Sequence, residues 1–310
     1  MADYDVLVLG EINVDLIFRA EEVMPVFGQE LLVDDMALTM GSSSVIFACG
    51  AARLGLKVGF VGVVGDDEFG QFMLREMAAR DIDVAPVIVD PATKTGITVS
   101  LSTAADRALL TYAGSIAALT TGRVDRALFD RARHVHIGAY FLQDGLREGL
   151  PELLAEARSR GLTVSLDTGF DPRETWDGGL QETLAQVDVF MPNAVEAPAI
   201  AGAATPDAAL AALAEQIPVV AVKLGAEGAI ARQSGETVRT VPPAVDVVDT
   251  TGAGDSFDAG FVYGYLADWP LERTLRLACA CGALTTRIPG GTNGQPALAE
   301  ALAAIDGVDD

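Results

Sequence analysis

From residue 134 onward, short apolar runs alternate with one-sidedly polar helical stretches, and that alternation restricts the fold more than any other feature of the chain. The runs are His134 to Gly138, Leu162 to Asp167, Val187 to Met191 and Val219 to Leu224. Between them lie Leu146 to Arg160, Leu180 to Gln186 and Asp207 to Gln216, each polar on one side. Short, mainly apolar strands separated by helices make a parallel sheet that is buried on both faces. The expected fold class is therefore α/β, a three-layer α/β/α arrangement around a mostly parallel central sheet. In such sheets ligands sit beyond the carboxyl ends of the strands. Asp167, Asn193, Gly225 and Gly228 fall at or just after the ends of these runs, where a polar site would be.

The chain has 310 residues, half of them hydrophobic, enough for one large core. Its longest apolar runs, such as Val6 to Leu9 and Val219 to Val222, are strand-sized and far short of the roughly 20 residues of a membrane span. The acidic start, Met1 to Asp5, leads straight into the first run with no legible secretory signal, so a cytoplasmic location is expected. Cys49, Cys279 and Cys281 make neither a disulfide framework nor zinc spacing and read as buried thiols. His134 and His136 would share one strand face, with no third metal ligand nearby in sequence. The net charge of -23 repels nucleic acid and also repels an anionic cofactor. A nucleotide enzyme with this charge has to neutralise a triphosphate locally, with a divalent cation and a few placed donors.

The N-terminal third reads differently. Ile12, Val14 and Leu16 alternate with Asn13 and Asp15, and Thr95 to Thr103 and Arg107 to Tyr112 are also extended, with polar flanks. These are expected to form a small, half-solvated sheet, a lid built from segments near 11–40 and 92–115 within one domain spanning 1–310. Met73 and Met77, at helical spacing, read as core.

The strongest local signal is Asp249-Thr250-Thr251-Gly252-Ala253-Gly254-Asp255-Ser256-Phe257-Asp258-Ala259-Gly260-Phe261, between the run Val245 to Val248 and a helical pattern carrying Phe257, Phe261 and Tyr265 on one side. Gly252 to Gly254 lets successive amides at a helix start point outward as an anion hole. Such amides suit a transferring phosphoryl group, which carries its charge on equatorial oxygens. Asp255 would lie in the first helical turn, where the helix dipole favours its ionised form.

This stretch resembles the C-terminal signature of the ribokinase-like, or pfkB, carbohydrate kinases. Three further segments are similar to that family in the same order. They are Gly41 to Gly70, with Ala51-Ala52-Arg53-Leu54-Gly55 and Val61-Gly62-Val63-Val64-Gly65-Asp66-Asp67-Glu68-Phe69-Gly70, then Pro192-Asn193-Ala194-Val195-Glu196, and Val222-Lys223-Leu224-Gly225-Ala226-Glu227-Gly228. The resemblance runs from about residue 5 to 300. It implies ATP and Mg2+ as cofactors, Asp255 as the base that accepts the substrate hydroxyl proton, and Gly252, Ala253 and Gly254 as the anion hole. It further implies that Asn193 and Glu196 arrange magnesium-bound water and phosphate, and that Lys223, Gly225, Gly228 and Gly254 line the nucleotide. Asn13, Asp15, Gly41, Ser42 and Gln143 would meet the substrate, with Arg107 reaching it from the lid. A monovalent cation such as K+ would sit by Asp249, Thr251, Thr285, Ile288 and Gly290. The chain departs from the family pattern at Ser42, where a second glycine is usual, at Ile46, where an asparagine is usual, and at Cys279, where some members have an asparagine near the adenine.

The expected function is phosphorylation of a hydroxyl on a small sugar or polyol, with a keto sugar acid or a nucleoside as alternative acceptors and a non-catalytic sugar sensor as the alternative class. A dinucleotide oxidoreductase is disfavoured because no Gly-x-Gly-x-x-Gly follows the first strand, and a P-loop kinase because no Gly-x-x-x-x-Gly-Lys-Ser/Thr occurs. For a charged acceptor the lid segments offer few cations beyond Lys94 and Arg107, and Phe18, Tyr112 and Phe141 are the candidate stacking partners for a base. Asp167 reads as a strand-end residue with two open readings, a structural polar group or one that helps position phosphate or the lid. Unpaired strand edges in the lid suggest a homodimer.

Overall fold

The computed structural model describes residues 2–103 and 107–306, with Arg107 described by its backbone alone. The chain begins with β1 (Tyr4–Leu9), β2 (Asn13–Arg19) and β3 (Asp35–Met40), followed by α1 (Ser43–Arg53), β4 (Val58–Val61), β5 (Val63–Gly65) and α2 (Glu68–Ala78). Then come β6 (Ile82–Asp83), β7 (Ile88–Asp90), β8 (Gly96–Ser102), β9 (Arg107–Tyr112) and β10 (Ala132–Ile137). The alternating half holds α3 (Asp144–Arg147), α4 (Leu150–Ser159), β11 (Thr163–Leu166), α5 (Leu180–Leu184), β12 (Val189–Phe190), α6 (Glu196–Ala201) and α7 (Pro206–Leu213). It closes with β13 (Val219–Lys223), β14 (Ala229–Gln233), β15 (Glu236–Thr240), α8 (Ala253–Leu266), α9 (Leu271–Thr285) and α10 (Leu298–Asp306).

Nine strands form the main sheet in the order β15-β14-β13-β12-β11-β10-β1-β4-β6. All neighbours from β13 to β6 pair in parallel, whereas β13, β14 and β15 are antiparallel. Only Leu224, the short turn Gly225–Glu227 and Gly228 separate β13 from β14, too few residues for a crossover, so the chain folds straight back. Gly228 makes that turn possible: its φ is 88°, and a Cβ there would collide with the Thr240 carbonyl oxygen. The apolar runs are explained by burial on both faces. Val6 and Val8 enter the core on one side with α1, α8 and α9, while Leu7 and Leu9 enter the other with α4, α5 and α7. Val189 and Phe190, and likewise Val219 and Val220, split in the same way.

The helical stretch from Leu146 breaks in two because Gly149 adopts φ 77° and Pro151 starts the second helix, α4. The run Val245 to Val248 makes no strand, and Val247 and Val248 are exposed. His134 and His136 share a buried face, as their spacing implies, and both bond Ser165 Oγ, at 2.7 and 2.8 Å, while His134 Nδ1 meets Thr163 Oγ1 at 2.7 Å. Burial pushes His134 down to about 3, so the pair is a neutral link between β10 and β11.

A second sheet, ordered β3-β2-β8-β9, is built from the N-terminal segments; β2 pairs antiparallel with β3 and parallel with β8. β5 and β7 form a short parallel pair beneath it. Asp67, the cap of α2, ties this region together by accepting from Gly70 N at 2.8 Å and from Thr95 N and Oγ1 at 2.8 and 2.7 Å, just where β8 begins. Among the described residues no helix is long and apolar enough to cross a membrane.

Phe190 is fully buried at the middle of the sheet. Phe190→Ala should lower unfolding free energy by about 3–5 kcal/mol in chemical denaturation; a loss below about 1 kcal/mol would contradict this account of the core.

Candidate active site

The carboxyl edge of the parallel strands meets the N-terminus of α8. Gly252 caps that helix at φ 73°, and a Cβ on it would lie 2.7 Å from Gly291 Cα and carbonyl O. Only glycine therefore fits, and it turns the chain so that the next amides, which have no intrahelical partner, open into the cleft. Ile46, in place of the usual asparagine, packs beside Gly252 and Gly291. Asp255, in the first turn of α8, bonds Ser43 at the start of α1. Its environment differs from the sequence expectation. Removal from water, then the nearby Asp167 charge, push it up to about 8, although Lys223 pulls the other way. Desolvation and like charge thus outweigh the helix dipole, whose worth is at most about 2 kcal/mol. The side chain retains partial exposure at the floor of the cleft.

Directly below lies an ion cluster. Lys223, the last residue of β13, donates to Asp167 Oδ2 at 2.6 Å and to Asp258 Oδ1 and Oδ2 at 3.1 and 3.0 Å. Oxygens of Asp167, Asp255 and Asp258 lie within 4.8 Å of one another. Burial alone would raise Asp167, but Lys223 holds it below the usual carboxylate range. Asp258, more deeply buried and facing ionised Asp167, is held well above that range. Lys223 is thus shared between two carboxyl groups whose proton affinities burial and mutual charge drive apart. Its ammonium is engaged by carboxylates, a placement that the sequence did not foresee for Lys223.

Asn193 and Glu196 form a closed turn at the end of β12. Asn193 Nδ2 donates to Glu196 Oε1 at 2.7 Å, Asn193 N donates to Oε2 at 2.9 Å, and Glu196 N donates back to Asn193 Oδ1 at 3.0 Å. Burial and then Asp167 push Glu196 up to about 7. Gly225 and Gly228, both at positive φ, shape the neighbouring turn after β13.

On the other side of the cleft, Asn13 Nδ2 donates to Asp15 Oδ1 at 3.1 Å, and a side chain on Gly41 would collide with both. Ser42 takes φ 74°, a region that favours glycine. The strain is offset by the Ser42 hydroxyl, which lies 2.6 Å from Glu11 O and 2.8 Å from Glu11 Oε1 and accepts from Val45 N at 3.0 Å. Ser44 Oγ also donates to Glu11, a fully enclosed carboxyl that burial raises. Gln143 is buried; its Nε2 donates to Gly138 O at 2.6 Å, and its Oε1 has no partner among the described residues. The Arg107 side chain lies outside the described residues.

Asp249 Oδ1 accepts from Thr251 N at 2.9 Å and Thr251 Oγ1 at 2.7 Å, and Oδ2 accepts from Gly290 N at 2.9 Å. The structure therefore brings Asp249, Thr251 and Gly290 together. Thr285 is fully buried and donates to Cys281 O at 2.9 Å, while Ile288 is partly exposed.

Sequence reading missed Asp258, Glu11 and Ser44. Asp258 stands inside the signature three residues after Asp255, so helical spacing was the available signal. Nothing local marks Glu11, whose partners come from residues 31 and 33 positions away. Of the candidate stacking aromatics, Phe141 is buried against Tyr140 and Trp176, Tyr112 is exposed and Phe18 is half-buried.

Comparison with known proteins matches residues 3–298 to the pfkB family carbohydrate kinase model. A 5-dehydro-2-deoxygluconokinase of Geobacillus kaustophilus is 29% identical, covering 96% of this chain and 92% of that protein. An ATP-dependent ribose-1-phosphate kinase of Halopiger xanaduensis is 31% identical, covering 97% of each. An E. coli protein described as a candidate ribokinase II, solved with ATP and Mg2+, superposes with a TM-score of 0.86 at 25% identity, over 98% of this chain and 99% of that one. Fold, motif order and full-length similarity agree: the chain belongs to the pfkB family of carbohydrate kinases.

Proposed function

We propose that this kinase transfers the γ-phosphoryl group of ATP to a primary hydroxyl of a small sugar or polyol. The observation that carries the reading is the first turn of α8, which sets a carboxyl of raised proton affinity beside the helix-start amides at the carboxyl edge of the sheet. Asp255 is the base; it takes the hydroxyl proton as the oxygen–phosphorus bond forms. Amides of Gly252 to Gly254 and Asp255 donate to the phosphoryl oxygens. Asn13, Asp15, Gly41 and Ser42 orient the acceptor, with Gln143 Oε1 offering a buried acceptor atom. The turn from Gly225 to Gly228 lines the nucleotide.

Mg2+ fits this site, whose hard oxygen donors at Asn193, Glu196 and Asp167 are the kind it prefers, and when bound with the triphosphate it would neutralise charge that a -23 protein otherwise repels. The E. coli protein solved with ATP and Mg2+ supports both cofactors here. Potassium is proposed for the loops around Asp249, Thr251, Thr285, Ile288 and Gly290, with backbone oxygens completing the shell. The small sheet is the lid that excludes water on closure, and the whole chain acts as one kinase domain.

A keto sugar acid is the second reading. It is supported by the Geobacillus relative, named for such an acid, and by Lys94 and Arg107 as the lid's cations for a carboxylate. The exposed apolar residues of the lid, Met36, Leu38, Leu109 and Leu110, support a homodimer through that sheet.

An ADP-release assay with ATP, magnesium and potassium across sugars, polyols, keto sugar acids and nucleosides should yield a hit whose turnover Asp255→Asn lowers by roughly 100- to 10,000-fold with nucleotide binding kept. Binding of ATP without turnover on any acceptor would favour the sensor instead. The same variant should be more stable than wild type at pH 9, where Asp255 is ionised in both folded and unfolded chains and its burial is costly. The gain, roughly 2–4 °C in melting temperature for each kcal/mol, should shrink as pH falls from about 8 toward the ordinary value of 3.8, below which the carboxyl is neutral in both states. A gain independent of pH would contradict the raised proton affinity. Light scattering at micromolar concentration should give twice the monomer mass, and a monomer would remove the dimer proposal.

A further inference from the structure

Three elements meet beneath the anion hole, and one side chain joins them. β11 ends at Leu166 and delivers Asp167; β13, two strands away, ends at Lys223; α8 descends from above with Asp258 one turn after Asp255. The Lys223 side chain crosses the end of β12, where its backbone N donates to Pro192 O at 2.9 Å, and reaches both carboxylates. Its Nζ would lie 3.7 Å from a Cβ on Gly254, so the ammonium sits immediately below the anion-hole turn. The environment is closed: Asp258 is 1% exposed and Asp167 7%. An ammonium has three protons to donate, and the three contacts, one to Asp167 and two to Asp258, occupy its reach.

We propose that Lys223 is a positioning residue for phosphoryl transfer: by binding Asp167 and Asp258 it clamps the first two turns of α8 to the ends of β11 and β13, fixing the anion-hole amides and Asp255 in one geometry. This deepens the kinase reading and rests on it. The helix start needs such an anchor. Its cap, Gly252, offers no side-chain bond, and its first turn must stay open toward substrate, so the restraint comes from below. Gln295 supplies a partial second restraint, with Nε2 donating to Ser256 Oγ at 3.0 Å and Ile46 O at 2.8 Å, but it ties α8 to α1 rather than to the sheet. A clamp of this kind matters because displacement of a reacting group by about 1 Å costs on the order of 100-fold in rate.

The test compares Lys223→Met, Lys223→Arg and Asp258→Asn with the wild type in three readouts: hydrogen exchange of the amides from Gly252 to Asp258, affinity for a non-hydrolysable ATP analogue, and turnover. A clamp predicts faster exchange confined to that turn, unchanged analogue affinity, and turnover reduced roughly 100-fold in Lys223→Met, partly restored in Lys223→Arg. Asp258→Asn, which strands no extra charge and is too buried to touch nucleotide, should show the same pattern more mildly and covers the case in which Lys223→Met fails to fold. Loss of analogue affinity with unchanged exchange would make Lys223 a nucleotide ligand and overturn the proposal, as would exchange and turnover unaltered in both Lys223→Met and Asp258→Asn. If the wild type turned over no acceptor, the kinase reading would fall, while exchange and affinity would still decide the role of Lys223.

Discussion

A parallel sheet covered by helices on both faces can present polar chemistry only where its strands stop. Everything functional in this protein follows from that constraint. Val6 to Leu9, Val189 to Phe190 and Val219 to Val222 commit successive side chains to opposite cores, so Asp167, Asn193 and Lys223 are the first positions at which the backbone is released from packing. α8 then closes over those ends, and its N-terminus faces them because it must pack lengthwise between α1 and α9. The second sheet, rising from the ends of β1 and β5, covers the remaining side.

The site so formed is unusually rich in acids. Asp167, Glu196, Asp255 and Asp258 are gathered around one lysine, with Glu11 across the cleft; burial leaves all but Asp167 raised, and like charge adds to it at Glu196, Asp255 and Asp258. Charges held in this way are destabilising to the fold, which tolerates them because the surrounding core is large.

Much of this was legible in the sequence. The order of apolar runs and helices gave the layered architecture, and the glycine-rich signature located the helix start, because glycine at 252 is dictated by a local turn that no other residue can make beside Gly291. The lid strands were readable from Asn13, Val14, Asp15 and Leu16 alternating in and out. Asp35 to Met40 and the antiparallel edge of β14 and β15 were less so, since neither departs from the apolar-polar mixture of a loop. The proton affinity of Asp255 is not legible in the sequence: the helix dipole is a local property visible in the motif, whereas desolvation and the charge of Asp167, far away in sequence, exist only after folding. Glu11 was invisible for the same reason.

The three cysteines, finally, turn a packing detail into an intrinsic reporter. Cys49 lies in α1 and Cys279 and Cys281 in α9, on the two helices that flank α8, and burial pushes all three thiols up to about 12. A thiolate-seeking reagent can reach them only when those helices separate from α8. The strands of the second sheet contain no cysteine, so alkylation will register breathing of the helical layer and stay silent to any change confined to that sheet, giving the helical layer its own clock in the unmodified protein.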